Sequence, residues 1–260
     1  MTAFQAIVLG IIQGATEFLP VSSSAHLAIA HWLFNWHLAD NADLSFDVAL
    51  HFGTLVAIVI YFFHDWVDFF KRGDRIVWYV LVACIPGAIA GVLLEHKAET
   101  IFRDPRHIAI LLAVMGIVMA IAEKLGPKDR DLESLSWTDA IWIGLLQALA
   151  IMPGVSRAGI TMTMGLFRGL SREAAARFSF LLATPILLGA TLFKCRHLLH
   201  GAGGVGVGPM LLGVLASAIV GLISINFLLT FLQKKTFYPF AIYRVALAIF
   251  VLALAFFLGH

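Results

Sequence analysis

The chain has 260 residues, of which 60% are hydrophobic and 13% charged, and a mean hydropathy of +0.92. A soluble domain is nearer half apolar and a quarter charged, so most of this surface must face lipid. A net charge of +2 without a basic run excludes a nucleic-acid partner, and Cys84 and Cys195 stand in no CxxC or metal-ligand spacing.

The first apolar stretch, Ala3 to Leu19, lacks the basic region and cleavage site of a signal peptide, and it carries Gln13 and Glu17 before Pro20. It opens a unit over residues 3–36: an apolar half, a polar break Pro20-Val21-Ser22-Ser23-Ser24-Ala25-His26, and a second short half. Three spans are predicted next, over 44–63, 75–94 and 107–125, with His64 to Asp74 as the first linker. A second broken unit covers 137–170, with the break Pro153-Gly154-Val155-Ser156-Arg157-Ala158-Gly159. Spans over 174–194, 209–232 and 238–258 complete the chain. A crossing helix needs about 20 apolar residues. Half a span on each side of a polar kink predicts a helix pair that enters the bilayer and returns, which is tolerated only around a protein-enclosed cavity.

Gly10-Ile11-Ile12-Gln13 resembles Gly144-Leu145-Leu146-Gln147, and proline and serines follow each. The expected architecture is therefore an all-α polytopic membrane protein. Six transmembrane helices and two re-entrant pairs form one domain over 1–260, with repeats at about 3–125 and 137–258. Three spans between the re-entrant pairs make the repeat inverted. On that topology Lys97, Arg103, Arg106, Lys194 and Arg196 share the side of the N-terminus. Lys71, Arg72, Arg75, Lys124, Lys128, Arg130, Arg168, Arg172, Lys234 and Lys235 share the other, which is then cytoplasmic. Both termini face outward. The oligomeric state is not fixed by the sequence, and a homodimer is compatible with it.

Two re-entrant tips entering from opposite faces meet near the midplane. Half-helices starting near Ser23-Ser24 and Ser156-Arg157 point unpaired N–H groups and positive dipole ends at one place, an anion site of the phosphate type. Arg157 supplies a planar fork suited to phosphate. Glu17, Ser23 and His26 form the second group, since ionisable residues at membrane depth point to function. Ser23 and His26, three apart, suit a nucleophile with its base; Glu17 orients the imidazole, holds a cation or activates water. Gln13 lies four residues before Glu17 on the same helical face and is counted with the substrate-binding residues. Ser22, Ser23 and Ser24 also read as N-caps, and Thr161 and Thr163 as braces, Thr161 with a phosphate contact as well. His31, His37, His51 and His64 have no ligand-like partner. Arg244 is expected to pair within the bundle, and Arg168 to Arg177 to anchor the cytoplasmic side.

Glu17-Phe18-Leu19-Pro20-Val21-Ser22-Ser23-Ser24-Ala25-His26 resembles the first signature of the bacterial undecaprenyl-diphosphate phosphatases, and Pro153 to Thr161 resembles their second. Pro239-Phe240-Ala241-Ile242-Tyr243-Arg244 also agrees. The resemblance implies an inner-membrane enzyme that removes the terminal phosphate of undecaprenyl diphosphate, renews the cell-wall lipid carrier and confers bacitracin resistance. It implies a divalent cation, Mg²⁺ or Ca²⁺, with Glu17 as a metal ligand. Glu17, Ser23, His26 and Arg157 fall on catalytic positions of that family; Ser22, Ser24, Ser156 and Thr161 fall on its phosphate-binding ones. Many members carry a second glutamate where Gln13 stands, so Glu17 is the only acidic ligand of that motif. Ser23 attack with His26 as base, and direct attack by activated water, are both compatible with these residues. The competing class is a transporter or flippase of a phosphorylated lipid, which needs the anion site but no base beside a hydroxyl.

Overall fold

A computed structural model describes residues 1–36, 42–100, 104–201 and 205–257. The side chains of Lys97, Arg103, Lys194 and Arg196, four of the residues used for orientation, lie outside what is described, as do His37 and Cys195. Among the described residues there are eleven α-helices and no strand.

Helix α1 (Ala3–Phe18) starts on a capping box in which Thr2 and Gln5 satisfy each other's backbone N–H groups. Leu19, restricted by the proline that follows, turns extended and ends it. Helix α2 (Ser23–Phe34) is capped by Ser22. The second broken unit repeats this plan. Ser136 and Asp139 box the start of α7 (Trp137–Gln147), a 3-10 turn follows over Ala148–Ile151, and extended Met152 precedes Pro153. Ser156 then caps α8 (Arg157–Phe167). These four helices have 16, 12, 11 and 11 residues, each too short to cross alone. Between the two units lie α3 (Ala42–Tyr61), α4 (Phe63–Arg72), α5 (Arg75–Thr100) and α6 (Pro105–Leu125). After them come α9 (Arg172–Gly201), α10 (Val207–Leu232) and α11 (Tyr238–Phe257).

Helices α5, α6, α9, α10 and α11 are long and apolar enough to cross a membrane, and α3 with α4 makes a sixth candidate bent by 58°. Here the structure departs from the expected linker: His64 to Asp74 is mostly helix. Phe63, Trp66, Val67 and Phe70 recur at helical spacing while Asp65, Asp68, Lys71 and Arg72 take the other positions. That pattern makes a two-sided helix, and Gly73 ends it in the left-handed region at φ 62°.

Helix α1 packs on α10, and its counterpart α7 packs on α5; α3 meets α9, and α6 meets α11. These pairs exchange as a two-fold relation between the halves requires. The close contacts match as well. A Cβ at Gly10 or Gly14 would fall 2.4 or 2.6 Å from a carbonyl oxygen of α10, and one at Gly144 would fall 2.6 Å from that of Ala83 on α5. Only glycine permits these approaches, as in other small-residue membrane contacts.

Phe18, Phe62, Phe178 and Phe180 lie in the main core, and Phe18 meets Phe180 edge-to-face at 5.6 Å. Large apolar side chains such as Phe4, Leu93, Phe256 and Phe257 are exposed, as lipid-facing positions are. The basic patch from Arg168 to Arg177 is tied inward rather than only fringing the surface. Arg130 and Arg168 both hold the buried Asp139 at 2.7 Å, Arg172 holds Glu123 at 2.5 Å, and Arg177 holds Asp65 at 2.5 Å.

Candidate active site

The two breaks touch. Ser22 Oγ accepts from the N–H of Ala25 in its own half-helix and, at 3.1 Å, from the N–H of Gly154 in the other break. Ser22 has φ 78° and ψ 94°, and Ser156 has φ 73° and ψ 114°. Such backbone costs a non-glycine residue about 1–3 kcal/mol and persists only where its surroundings enforce it. Arg244 of α11 is the enforcing group. Fully buried, it donates to Pro20 O at 3.0 Å, Gly154 O at 2.6 Å and Val155 O at 2.9 Å, and its Nε reaches Leu112 O at 3.4 Å. One guanidinium thus clasps both breaks. It pairs within the bundle as expected, but with backbone carbonyls, and its role as the clasp was not legible from its position near the start of α11.

Glu17 sits in the last turn of α1, next to this junction and buried. Arg157 Nη2 donates to its Oε1 at 2.9 Å, while Ser23 Oγ donates to its Oε2 at 2.5 Å. Gln13 Nε2 also reaches Oε2, at 3.2 Å. The other amino group of Arg157 donates to Ser179 O at 3.1 Å, so its fork is aimed by two fixed partners. A carboxylate from the first break therefore bridges a hydroxyl and a guanidinium from opposite halves of the chain. The burial of these charges is tolerable because they are paired.

The structure corrects the expected partner of Ser23. Its proton is directed at Glu17, and both ring nitrogens of His26 are engaged elsewhere. His26 Nδ1 lies 2.7 Å from Ser22 O, which can only accept, so Nδ1 carries the hydrogen. Nε2 then accepts from the Tyr243 hydroxyl at 2.7 Å. The imidazole braces the strained Ser22 backbone. His51, which had no evident partner in the sequence, is the imidazole that faces the cluster: its Nε2 is 3.7 Å from Glu17 Oε2. Its Nδ1 donates to Asp47 O at 2.7 Å, which leaves Nε2 to face Glu17. The rule that singled out Glu17, an ionisable side chain at membrane depth, applies equally to His51 within α3.

A cavity of about 490 Å³ opens on this cluster, and Glu17, Ser22, Ser23, Ser24, Ser156 and Arg157 line its polar end, with His51 beside them. Thr161 is not among its walls. Its hydroxyl donates to Arg157 O at 2.8 Å and meets Ser179 Oγ at 2.7 Å, so it braces α8 against α9. Gln13 likewise supports Glu17 from behind. The far part of the cavity is apolar, running past Gly87 and Val92 of α5 and Pro185 and Phe193 of α9. An anion with a long apolar tail matches both ends.

Among the described residues no three His, Cys, Asp or Glu side chains gather as a metal site. Glu17 offers the cavity a carboxylate, the hard-oxygen donor type that Mg²⁺ and Ca²⁺ take, and a diphosphate brings further oxygens. The residues fit a cation that arrives with its substrate, and do not form a cage of their own.

Fold and site together define a polytopic α-helical membrane protein with a buried cluster of carboxylate, hydroxyl and guanidinium groups at the end of a cavity. Residues 6–250 match the family described as Bacitracin resistance protein BacA, and the chain belongs to that family. It is 49% identical to the undecaprenyl-diphosphatase of Pelotomaculum thermopropionicum over 98% of this chain and 97% of that one. It is 48% identical to the undecaprenyl-diphosphatase of Moorella thermoacetica, over 97% and 98%. The protein of the same name from Geobacter metallireducens is 45% identical, over 94% and 95%.

Proposed function

We propose that this chain hydrolyses undecaprenyl diphosphate to the monophosphate and inorganic phosphate within the bacterial inner membrane, and so recycles the cell-wall lipid carrier and confers bacitracin resistance. The observation that carries the chemistry is the carboxylate of Glu17 held between Ser23 at 2.5 Å and Arg157 at 2.9 Å. A carrier of phosphorylated lipids would need the guanidinium and the half-helix ends. It would not need a hydroxyl already bonded to a carboxylate.

The diphosphate enters against the starts of α2 and α8 and takes over the fork of Arg157, which binds it bidentately. Ser23 Oγ attacks the terminal phosphorus and its proton passes to Glu17. As the new bond forms, the bond from phosphorus to the bridging oxygen breaks, and the lipid monophosphate leaves. Arg157 stabilises the charge spread over the transferring oxygens. Water then attacks the phosphoserine, phosphate departs and the serine recovers its proton. His51, whose Nε2 lies 3.7 Å from Glu17 Oε2, is the base that takes a proton from that water. A divalent cation held by Glu17 and the diphosphate would add charge neutralisation. The excess of Lys and Arg on the opposite side of the membrane supports placing both termini and the site on the outer side.

The purified chain in detergent is the direct test, because transport is impossible there. Phosphate release from undecaprenyl diphosphate, abolished by a chelator and restored by Mg²⁺ or Ca²⁺, is expected. Lipid binding without any phosphate release, cation present, would contradict the reading.

A further inference from the structure

We propose that the apolar arm of the cavity, between α5 and α9, seats the first units of the substrate's prenyl tail, and that Gly91 and Gly189 keep that arm open. The inference rests on the phosphatase reading and adds where the lipid lies and from which leaflet it comes. The arm is continuous with the polar end at Glu17 and Arg157, so a molecule whose phosphates reach Arg157 must send its tail somewhere in this space. Gly91 and Val92 form one wall, and Gly189 and Phe193 the other.

Glycine serves opposite purposes in this protein. At Gly10, Gly14 and Gly144 an added Cβ would strike a neighbouring backbone, whereas at Gly91 and Gly189 it would meet nothing within 4 Å among the described residues. The first three let helices close up, and the last two leave room. Val92, Gly189 and Phe193 are exposed, so the arm ends at the lipid-facing surface. A cavity of about 490 Å³ holds a headgroup and the start of a tail, and the rest of a polyprenyl chain stays in the bilayer. The arm also has a direction. It runs along α5 from Cys84 to Val92 and along α9 from Pro185 to Phe193, away from the helix ends that carry Arg75 and Arg172. Those ends belong to the basic, cytoplasmic side, so the mouth opens into the outer half of the membrane.

The test compares full-length Gly91→Leu and Gly189→Leu with the unaltered chain in detergent, using undecaprenyl diphosphate and a short-chain prenyl diphosphate. The leucines project into open space and leave the backbone undisturbed. For the long substrate kcat/KM should fall about tenfold or more, mainly through KM, while the short one changes by less than about twofold. Gly208→Leu, also in open space but off the arm, should behave as the unaltered chain for both. Unchanged long-chain kinetics in both arm variants, or equal losses for both substrates, would overturn the proposal. A photoreactive group on the first prenyl units gives an independent readout. It should label α5 and α9 between 84 and 92 and between 185 and 193. Labelling there without hydrolysis would support the arm while sinking the phosphatase reading, and labelling elsewhere would sink the arm.

Discussion

The two breaks are nearly the same backbone device, with an extended residue before proline and a serine cap at φ 78° in one and 73° in the other. Their side chains have diverged. The first break brings Ser23 and Glu17, bonded to each other, and has His51 beside it. The second brings the cation, Arg157, and spends its other polar groups on structure: Thr161 on Ser179, and Gln147 on the carbonyl of Ala83. In the proposed mechanism one half of the chain supplies the acid–base and nucleophilic groups and the other supplies charge stabilisation. Neither is a site alone, and Arg244 holds them in register.

The largest effects should come from the first break. Ser23→Ala and Glu17→Gln are expected to lower kcat by about 10⁴-fold or more, the scale of loss when a nucleophile and its partner act as one unit. Single-turnover phosphate release measures this, and a trapped phosphoserine in unaltered protein but not in Ser23→Ala would sharpen it. Losses below tenfold would remove Ser23 as the nucleophile. For the second break, Arg157→Ala should cost about 10²–10³-fold in kcat/KM, typical of one lost charge-stabilising donor. Arg157→Lys should recover little of it, since an ammonium cannot hold Ser179 O and a phosphate as a fork does.

A smaller effect separates the two imidazoles. Asparagine can imitate the Nδ1 donor of histidine but not its Nε2. His51→Asn keeps the bond to Asp47 O and should still lose about 10²-fold in kcat, as expected for an acid–base group. His26→Asn keeps the bond to Ser22 O and should retain activity within about tenfold, whereas His26→Ala should lose more. The reverse order would restore His26 as the base. The smallest effect is on stability: Tyr243→Phe removes the hydroxyl bonded to His26 and should lower stability by about 1 kcal/mol, read from thermal unfolding in detergent.

The architecture was legible because hydropathy and proline breaks report what lipid enforces on a backbone. That Glu17, Ser23 and Arg157 meet was legible because two broken units entering from opposite faces bring their tips together. The sequence misled where direction matters. Ser23 and His26 are three apart on one half-helix, which suggested a pair, yet the imidazole turns back to Ser22 O and Tyr243. His51 gives no local hint of a partner because Glu17 is on another helix. Thr161 sits within the second signature, but only the packing of α9 shows its hydroxyl facing Ser179. The linker read over residues 64–74 hid a helix because its charges outweighed the spacing of Phe63, Trp66 and Phe70.

The union of the two breaks through Glu17 and Arg157 is best tested by a double-mutant cycle on kcat/KM with Glu17→Gln, Arg157→Gln and the combination. If one carboxylate and one guanidinium serve a single site, the double variant should be little worse than the poorer single one, so that the coupling approaches the whole cost of the Arg157 change, about 3–4 kcal/mol for a 10²–10³-fold loss. Losses that simply add would mean that the two halves act independently, and would contradict this account.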